Sequence, residues 1–174
     1  MSKTVWEKMD RKGMKALMTF NDEYKDFLSA SKTERTFTAN AVAFAEANGF
    51  KELSKVKKLK AGDKVYSTNR GKNFLAFVIG RQPIKEGMNL LGAHIDSPRM
   101  DLKQHPLYEQ DGLVLLDTHY YGGIKKYQWV AHPMALVGVV VKKDGTVVDI
   151  SIGEKDDDPV VGVSDLLIHL AGEQ

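Results

Sequence analysis

The 174-residue chain is predicted to adopt an α/β fold, mixing helices and strands up to about residue 105 and continuing as strands alone. Three observations carry this. Apolar residues between Lys15 and Ala47 recur at helical spacing, short β-branched and apolar runs follow from Val65 onward, and Asp144-Gly145 separates two valine-rich segments as a hairpin turn does.

Composition bounds the chemistry. The chain carries 25 Lys plus Arg against 23 Asp plus Glu, 43% hydrophobic residues and no cysteine. Without cysteine, disulfide scaffolds, Cys-ligated zinc, iron-sulfur clusters and thiol catalysis are excluded, so any metal must be held by His, Asp or Glu. A formal charge of +2 with mixed signs offers no extended basic face, and no nucleic-acid partner is expected. No apolar run approaches the ~20 residues of a membrane span, and the charged start Met1 to Asp10 is unlike a secretory signal. The expectation is a cytoplasmic protein with no membrane partner.

Leu17, Met18, Phe20, Tyr24, Phe27 and Leu28 place an amphipathic helix over 15–28. Ser31 lies three residues before Glu34, the spacing of a capping box, and Ala39 to Ala47 run to Asn48-Gly49, a left-handed stop, so a second helix is expected there. Lys55, Lys57, Lys58, Lys60 and Lys64 read as a solvated loop or edge strand, since no aromatic residues interleave and no phosphate loop follows. Val65 to Ser67 and Asn73 to Ile79 form an antiparallel pair around Asn69-Arg70-Gly71-Lys72. Asn89 to Ala93 is expected to be a buried strand ending in the polar cluster His94 to Arg99, where loops leaving a sheet collect ligands. Leu113 to Leu116, Leu136 to Lys142 and Thr146 to Ile152 supply the later strands, the last two joined by Asp144-Gly145 as a two-residue hairpin loop. The acidic run Glu154 to Asp158 lacks the alternating ligands and closing Glu of a calcium loop and reads as a solvated turn.

His94 and Asp96 lie two apart, so on a strand they share a face. Such a pair can serve one metal ion, the imidazole ligating while the carboxylate fixes its tautomer. It can equally be a satisfied core histidine beside a capping Asp ahead of Pro98. His105 precedes Pro106 in an expected turn, His119 sits among tyrosines and His132 precedes Pro133, surface or packing positions by default. His169 follows Asp165 to Ile168, a short turn that could hold an imidazole for packing or for function. No nucleophile elbow, P-loop or dinucleotide fingerprint is present.

Longer segments narrow these alternatives. LLGAHIDSPRMDLK, from Leu90 to Lys103, resembles the first metal motif of the aminopeptidase I and aspartyl aminopeptidase family of dinuclear zinc exopeptidases. YGGIKKYQW, from Tyr121 to Trp129, resembles the block that follows in a bacterial branch of that family, and Leu136 to Gly145 continues the likeness. VSDLLIHL, from Val163 to Leu170, resembles a short family element ending in a functional histidine.

The resemblance implies the start of a zinc-exopeptidase αβα sandwich, a mixed sheet flanked by helices, over residues 1–104. It further implies the first part of an inserted β-rich dimerisation domain over 105–174. The implied activity is a metal-dependent aminopeptidase removing N-terminal residues from peptides, with two Zn2+ per complete site and Co2+ or Mn2+ as possible substitutes. In the family pattern His94 is a zinc ligand and Asp96 the carboxylate that orients it. The same resemblance implies that His169 is the imidazole that reaches from the inserted β domain of one subunit into the active site of its dimer partner. Homo-oligomers, dimers building toward a dodecamer, are implied as well. The family's bridging aspartate, paired glutamates, later carboxylate and C-terminal histidine all fall downstream of the matched motifs, so the 174 residues alone are expected to be inactive. The alternative is a non-catalytic oligomerisation or assembly module of peptidase ancestry in which His94 is vestigial.

Overall fold

A computed structural model describes residues 3–165, 167–170 and 172. The chain divides into two compact units, Met1–Ile95 and Asp96–Gln174. The strand entered at Arg99 pairs wholly within the second unit.

In the first unit, α1 (Val5–Lys8) leads into α2 (Arg11–Ala30), whose N-cap Asp10 accepts the Gly13 N–H at 2.6 Å. α2 starts earlier than the apolar spacing indicates because this cap, not the first apolar residue, sets the entry. α3 (Glu34–Ala47) is the second expected helix, but its capping box belongs to Thr33 and Thr36. The Thr36 N–H donates to Thr33 Oγ1 at 3.2 Å and the Thr33 N–H to Thr36 Oγ1 at 2.9 Å. Ser31, expected in that role, instead closes α2, its N–H donating to the Leu28 carbonyl. Asn40 of α3 donates to Ser31 Oγ and to the Ala30 carbonyl, both at 3.0 Å, and the Phe27 and Phe37 rings meet edge to face at 5.3 Å. Together they fix the α2–α3 corner. Gly49, at φ 82, ends α3 in the left-handed conformation that the Asn48-Gly49 pair predicts.

α3 packs on a three-stranded sheet ordered β1 (Lys51–Glu52), β2 (Lys64–Thr68) and β3 (Phe74–Val78). β2 and β3 are antiparallel, as expected, around Arg70 and Gly71, both at positive φ. β1, parallel to β2, is too short to leave a pattern in the sequence. Val65 and Tyr66 point to opposite faces of β2, yet only 2% and 5% of their surfaces are exposed, so both faces of this central strand are covered. With Thr38, Ala41 and Ala45 of α3 they form the core. The small residues at 41 and 45 let the helix approach the sheet closely. Lys64 Nζ donates to the Asn48 carbonyl at 3.2 Å, placing a cation at the negative end of α3.

One expected strand is absent. Residues 87–98 carry no strand pairing, and Leu90 and Leu91 are 81% and 97% exposed. A strand exists through its ladder, and none of the described residues supplies a neighbour for Asn89 to Ala93.

The second unit is built of two hairpins. β4 (Arg99–Gln110) pairs antiparallel with β5 (Leu113–Tyr121) through Asp111 and Gly112, both at positive φ as a two-residue type I′ loop requires. His105-Pro106, expected in a turn, lies inside β4. The ladder jumps from Leu102–Thr118 to Leu107–Leu116, and this bulge accommodates a proline that has no N–H to donate. Across the bulge, Lys103 and Asp117 form an ion pair at 3.1 Å.

β6 (Leu136–Val141) and β7 (Val147–Ile152) form the other hairpin. Its turn is where Asp144-Gly145 places it but is of a different type. Gly145 alone is at positive φ, its N–H donating to the Lys142 carbonyl, while Asp144 Oδ1 accepts the Thr146 N–H at 2.9 Å. This is the longer turn in which glycine supplies a left-handed bulge. The acidic run is a solvated turn, as expected. The Asp158 carboxylate accepts the N–H groups of Gly153, Glu154 and Lys155, and these bonds, foremost that of Lys155, hold its pKa below the usual carboxylate range.

Candidate functional site

The polar cluster after Ala93 is held by the start of the β4–β5 hairpin. Asp96 opens the second unit, Pro98 leads the chain into β4, and the register sets Arg99 directly opposite Tyr121 at the far end of β5. Opposite residues of an antiparallel pair share a face, so Arg99 and Tyr121 meet side by side. The Arg99 guanidinium lies over the Tyr121 ring, 4.1 Å from its centroid, and its Nε donates to Asp101 Oδ1 at 2.7 Å. Asp101 lies two residues along the same strand, on the same face. Thus clamped, the Tyr121 phenol reaches back past Arg99 and donates to Asp96 Oδ2 at 2.7 Å.

Gly122 turns the chain immediately after Tyr121. At φ 76 it occupies a region that L side chains rarely adopt, whereas an added Cβ would make only ordinary contacts with Pro98 at 3.6 Å. Backbone conformation, rather than crowding, calls for glycine here.

His94 is exposed, in the irregular stretch that ends the first unit. His169 is exposed in a turn closed by the Leu170 N–H donating to the Leu167 carbonyl at 2.8 Å; of the expected turn over 165–168, Leu166 lies outside the described residues. The chain approaching His169 is anchored at Val161 and Val163, which bridge to Met134 and Val130. The Met134 and Ala131 N–H groups donate to the Val161 and Val163 carbonyls at 2.9 and 2.7 Å. His105 and His119, with Lys103 and Asp117, line an open depression over the β4 bulge, and the ladder sets His119 directly opposite Asp101.

Among the described residues, no three His, Asp or Glu side chains are grouped as metal ligands. The donor chemistry present fits one corner of a zinc site: an imidazole at 94, and two residues on a carboxylate anchored through Oδ2 by a phenol. It does not amount to a whole site, which needs about three protein ligands per catalytic zinc. The residue that spacing alone misses is Tyr121, since strand pairing brings it to Asp96 from 25 positions away. Its position just before Gly122-Gly123 is the sequence sign that the strand ends in a backbone-constrained turn.

An α/β unit followed by a unit of β hairpins matches a known class of proteins. The sequence model of the family described as aminopeptidase I zinc metalloprotease (M18) matches residues 27–174, and the chain belongs to that family. A probable M18 family aminopeptidase 1 of Clostridium acetobutylicum is 53% identical over 176 residues, covering 99% of this chain and 38% of that protein. Its Thermotoga maritima counterpart is 43% identical, covering 98% of this chain and 37% of its own length. Among solved structures, aminopeptidase I from Borrelia burgdorferi B31 superposes with a TM-score of 0.91 at 40% identity, over 95% of this chain and 41% of that one. The M18 aminopeptidase of Thermotoga maritima gives 0.90 at 42% identity, over 99% and 38%. A yeast aminopeptidase 1 chain, solved as a dodecamer, shares the fold at 22% identity and a TM-score of 0.68. The chain thus spans well under half the length of the relatives it matches. No helix among the described residues is long and apolar enough to cross a membrane.

Proposed function

We propose that these residues belong to a zinc-dependent aminopeptidase that removes N-terminal residues from peptides and whose complete active site draws further ligands from polypeptide beyond the 174 residues. The observation that carries this reading is the His94-x-Asp96 motif, its carboxylate held by Tyr121, in a chain of the M18 family. The relatives' greater length leaves room for the remaining ligands and the general base.

In this reading His94 ligates one of two zinc ions through a ring nitrogen, and Asp96 accepts the other ring N–H, fixing the tautomer and raising the basicity of the imidazole. Zinc, when bound, polarises the scissile carbonyl and lowers the pKa of water. Residues 1–104 contribute to the catalytic domain and 105–174 to a dimerisation domain. There His169, carried on the stretch anchored at Val161 and Val163, serves the active site of a partner subunit by donating to the substrate carbonyl or developing oxyanion. Homo-oligomerisation is supported by the apolar residues that the two hairpins leave exposed, among them Leu107, Leu113, Val114, Val141 and Val147. The proposed location is the cytoplasm. Co2+ or Mn2+ can replace zinc in a site of N and O donors.

The test is hydrolysis of peptides with free and with acetylated N-termini by the full-length polypeptide, before and after chelation. Cleavage confined to free N-termini, lost on chelation and restored by Zn2+, is the expected result. No hydrolysis under any metal, from a protein that still assembles, would favour a non-catalytic oligomerisation module.

A further inference from the structure

We infer that Tyr121 is a positioning residue for the metal site: its phenol holds the Asp96 carboxylate in the orientation from which Asp96 steers the His94 imidazole. The inference rests on the reading of His94 and Asp96 just given and extends it to a residue supplied by a different strand.

A carboxylate carried in an irregular segment can rotate about two side-chain torsions. Asp96 sits in such a segment, between the end of the first unit and the first residue of β4. An orienting carboxylate is useful only while its oxygen stays directed at the ring it serves, so a device that restrains it is part of the site. The 2.7 Å bond from the Tyr121 phenol to Oδ2 is that device.

The phenol is itself restrained. Tyr121 closes β5 opposite Arg99, whose guanidinium covers its ring at 4.1 Å and is tied by Nε to Asp101 at 2.7 Å. Gly122 at φ 76 then carries the backbone away. The hairpin therefore delivers one hydroxyl to one carboxylate oxygen, and the regular ladder fixes its origin. Arg99 and Asp101, at the start of β4, thereby buttress the tyrosine.

Tyr121→Phe removes the hydroxyl, and with it this bond, while keeping the ring under Arg99. Zinc release to a colorimetric chelator is measured for full-length wild type, Tyr121→Phe, Asp96→Ala and the double variant, with thermal melts as the check on folding. Tyr121→Phe is expected to melt like wild type and to lose zinc about 10-fold faster, the lower end of the range for outer partners of metal ligands. The double variant is expected to be no worse than Asp96→Ala, as follows if Tyr121 affects the metal through that carboxylate. Wild-type zinc retention in Tyr121→Phe, with rapid loss in Asp96→Ala, would overturn the inference and leave the functional reading intact. Additive effects in the double variant would also overturn it. Wild-type retention in Asp96→Ala would remove the functional assignment on which the inference stands.

Discussion

The Tyr121 hydroxyl donates to Asp96 Oδ2 at 2.7 Å, so the far end of β5 fastens the segment that follows His94. The fastening depends on where the backbone turns. Gly122→Ala places an L side chain at φ 76 and is expected to cost about 1–2 kcal/mol. It should also move Tyr121 off the carboxylate. A thermal melt reads the first effect and the rate of zinc loss the second; a variant unchanged in both would show that the turn does not set the tyrosine's position.

His169 lies in a turn beyond the bridges at Val161 and Val163. If it serves the substrate of a partner subunit and no metal, His169→Phe in the full-length protein should keep the wild-type zinc content and lose about 100-fold or more in kcat, the scale of removing one oxyanion donor. Zinc analysis beside steady-state kinetics separates the two. Loss of metal in this variant would assign His169 to the zinc site itself.

In the core of the first unit, the Tyr66 hydroxyl donates to Glu46 Oε1 at 2.7 Å. That bond first, then burial, pushes the Tyr66 pKa up to about 12 from its ordinary value of 10.0. Because the folded value lies above the unfolded one, the contribution to stability is fully present below pH 10 and is lost as pH rises toward 12. Phenolate absorbance should show a tyrosine component ionising at about pH 12 that Tyr66→Phe removes. Tyr66→Phe should reduce the fall in stability over that alkaline window, and an unchanged fall would place the dependence elsewhere.

Thr38 carries a cost of another kind. The residue is 3% exposed and its hydroxyl has no hydrogen-bond partner among the described residues. Thr38→Val preserves the β-branched shape and removes the unsatisfied group, so stability should rise by about 1 kcal/mol. A denaturant titration checks this, and a clear loss of stability would mean the hydroxyl is satisfied by water.

Local chemistry explains which elements are legible in the sequence. The Asn48-Gly49 stop, the Arg70-Gly71 turn and the Asp144-Gly145 turn all declare themselves, because positive φ selects glycine. Asp111-Gly112 carries the same mark and makes the β4–β5 hairpin readable in principle, but His105-Pro106 suggests a break where the strand in fact continues through a bulge. The cap of α3 is misread because Thr33 and Thr36 satisfy each other as a Ser and a Glu would. Leu90 and Leu91 read as a strand on composition, yet pairing depends on a neighbour that no local pattern reveals. For the site, His94 and Asp96 are visible as a two-residue spacing. Tyr121 is not, since register alone brings it to Asp96.

His94 is proposed to hold zinc in the full-length protein. The most direct test is zinc content per chain in full-length wild type and His94→Ala, measured by elemental analysis on folded, assembled protein after brief chelation. Wild type is expected to retain up to two zinc ions per chain, and His94→Ala to lose at least one of them and with it all turnover. Equal zinc in the two proteins, with activity retained in His94→Ala, would contradict the claim.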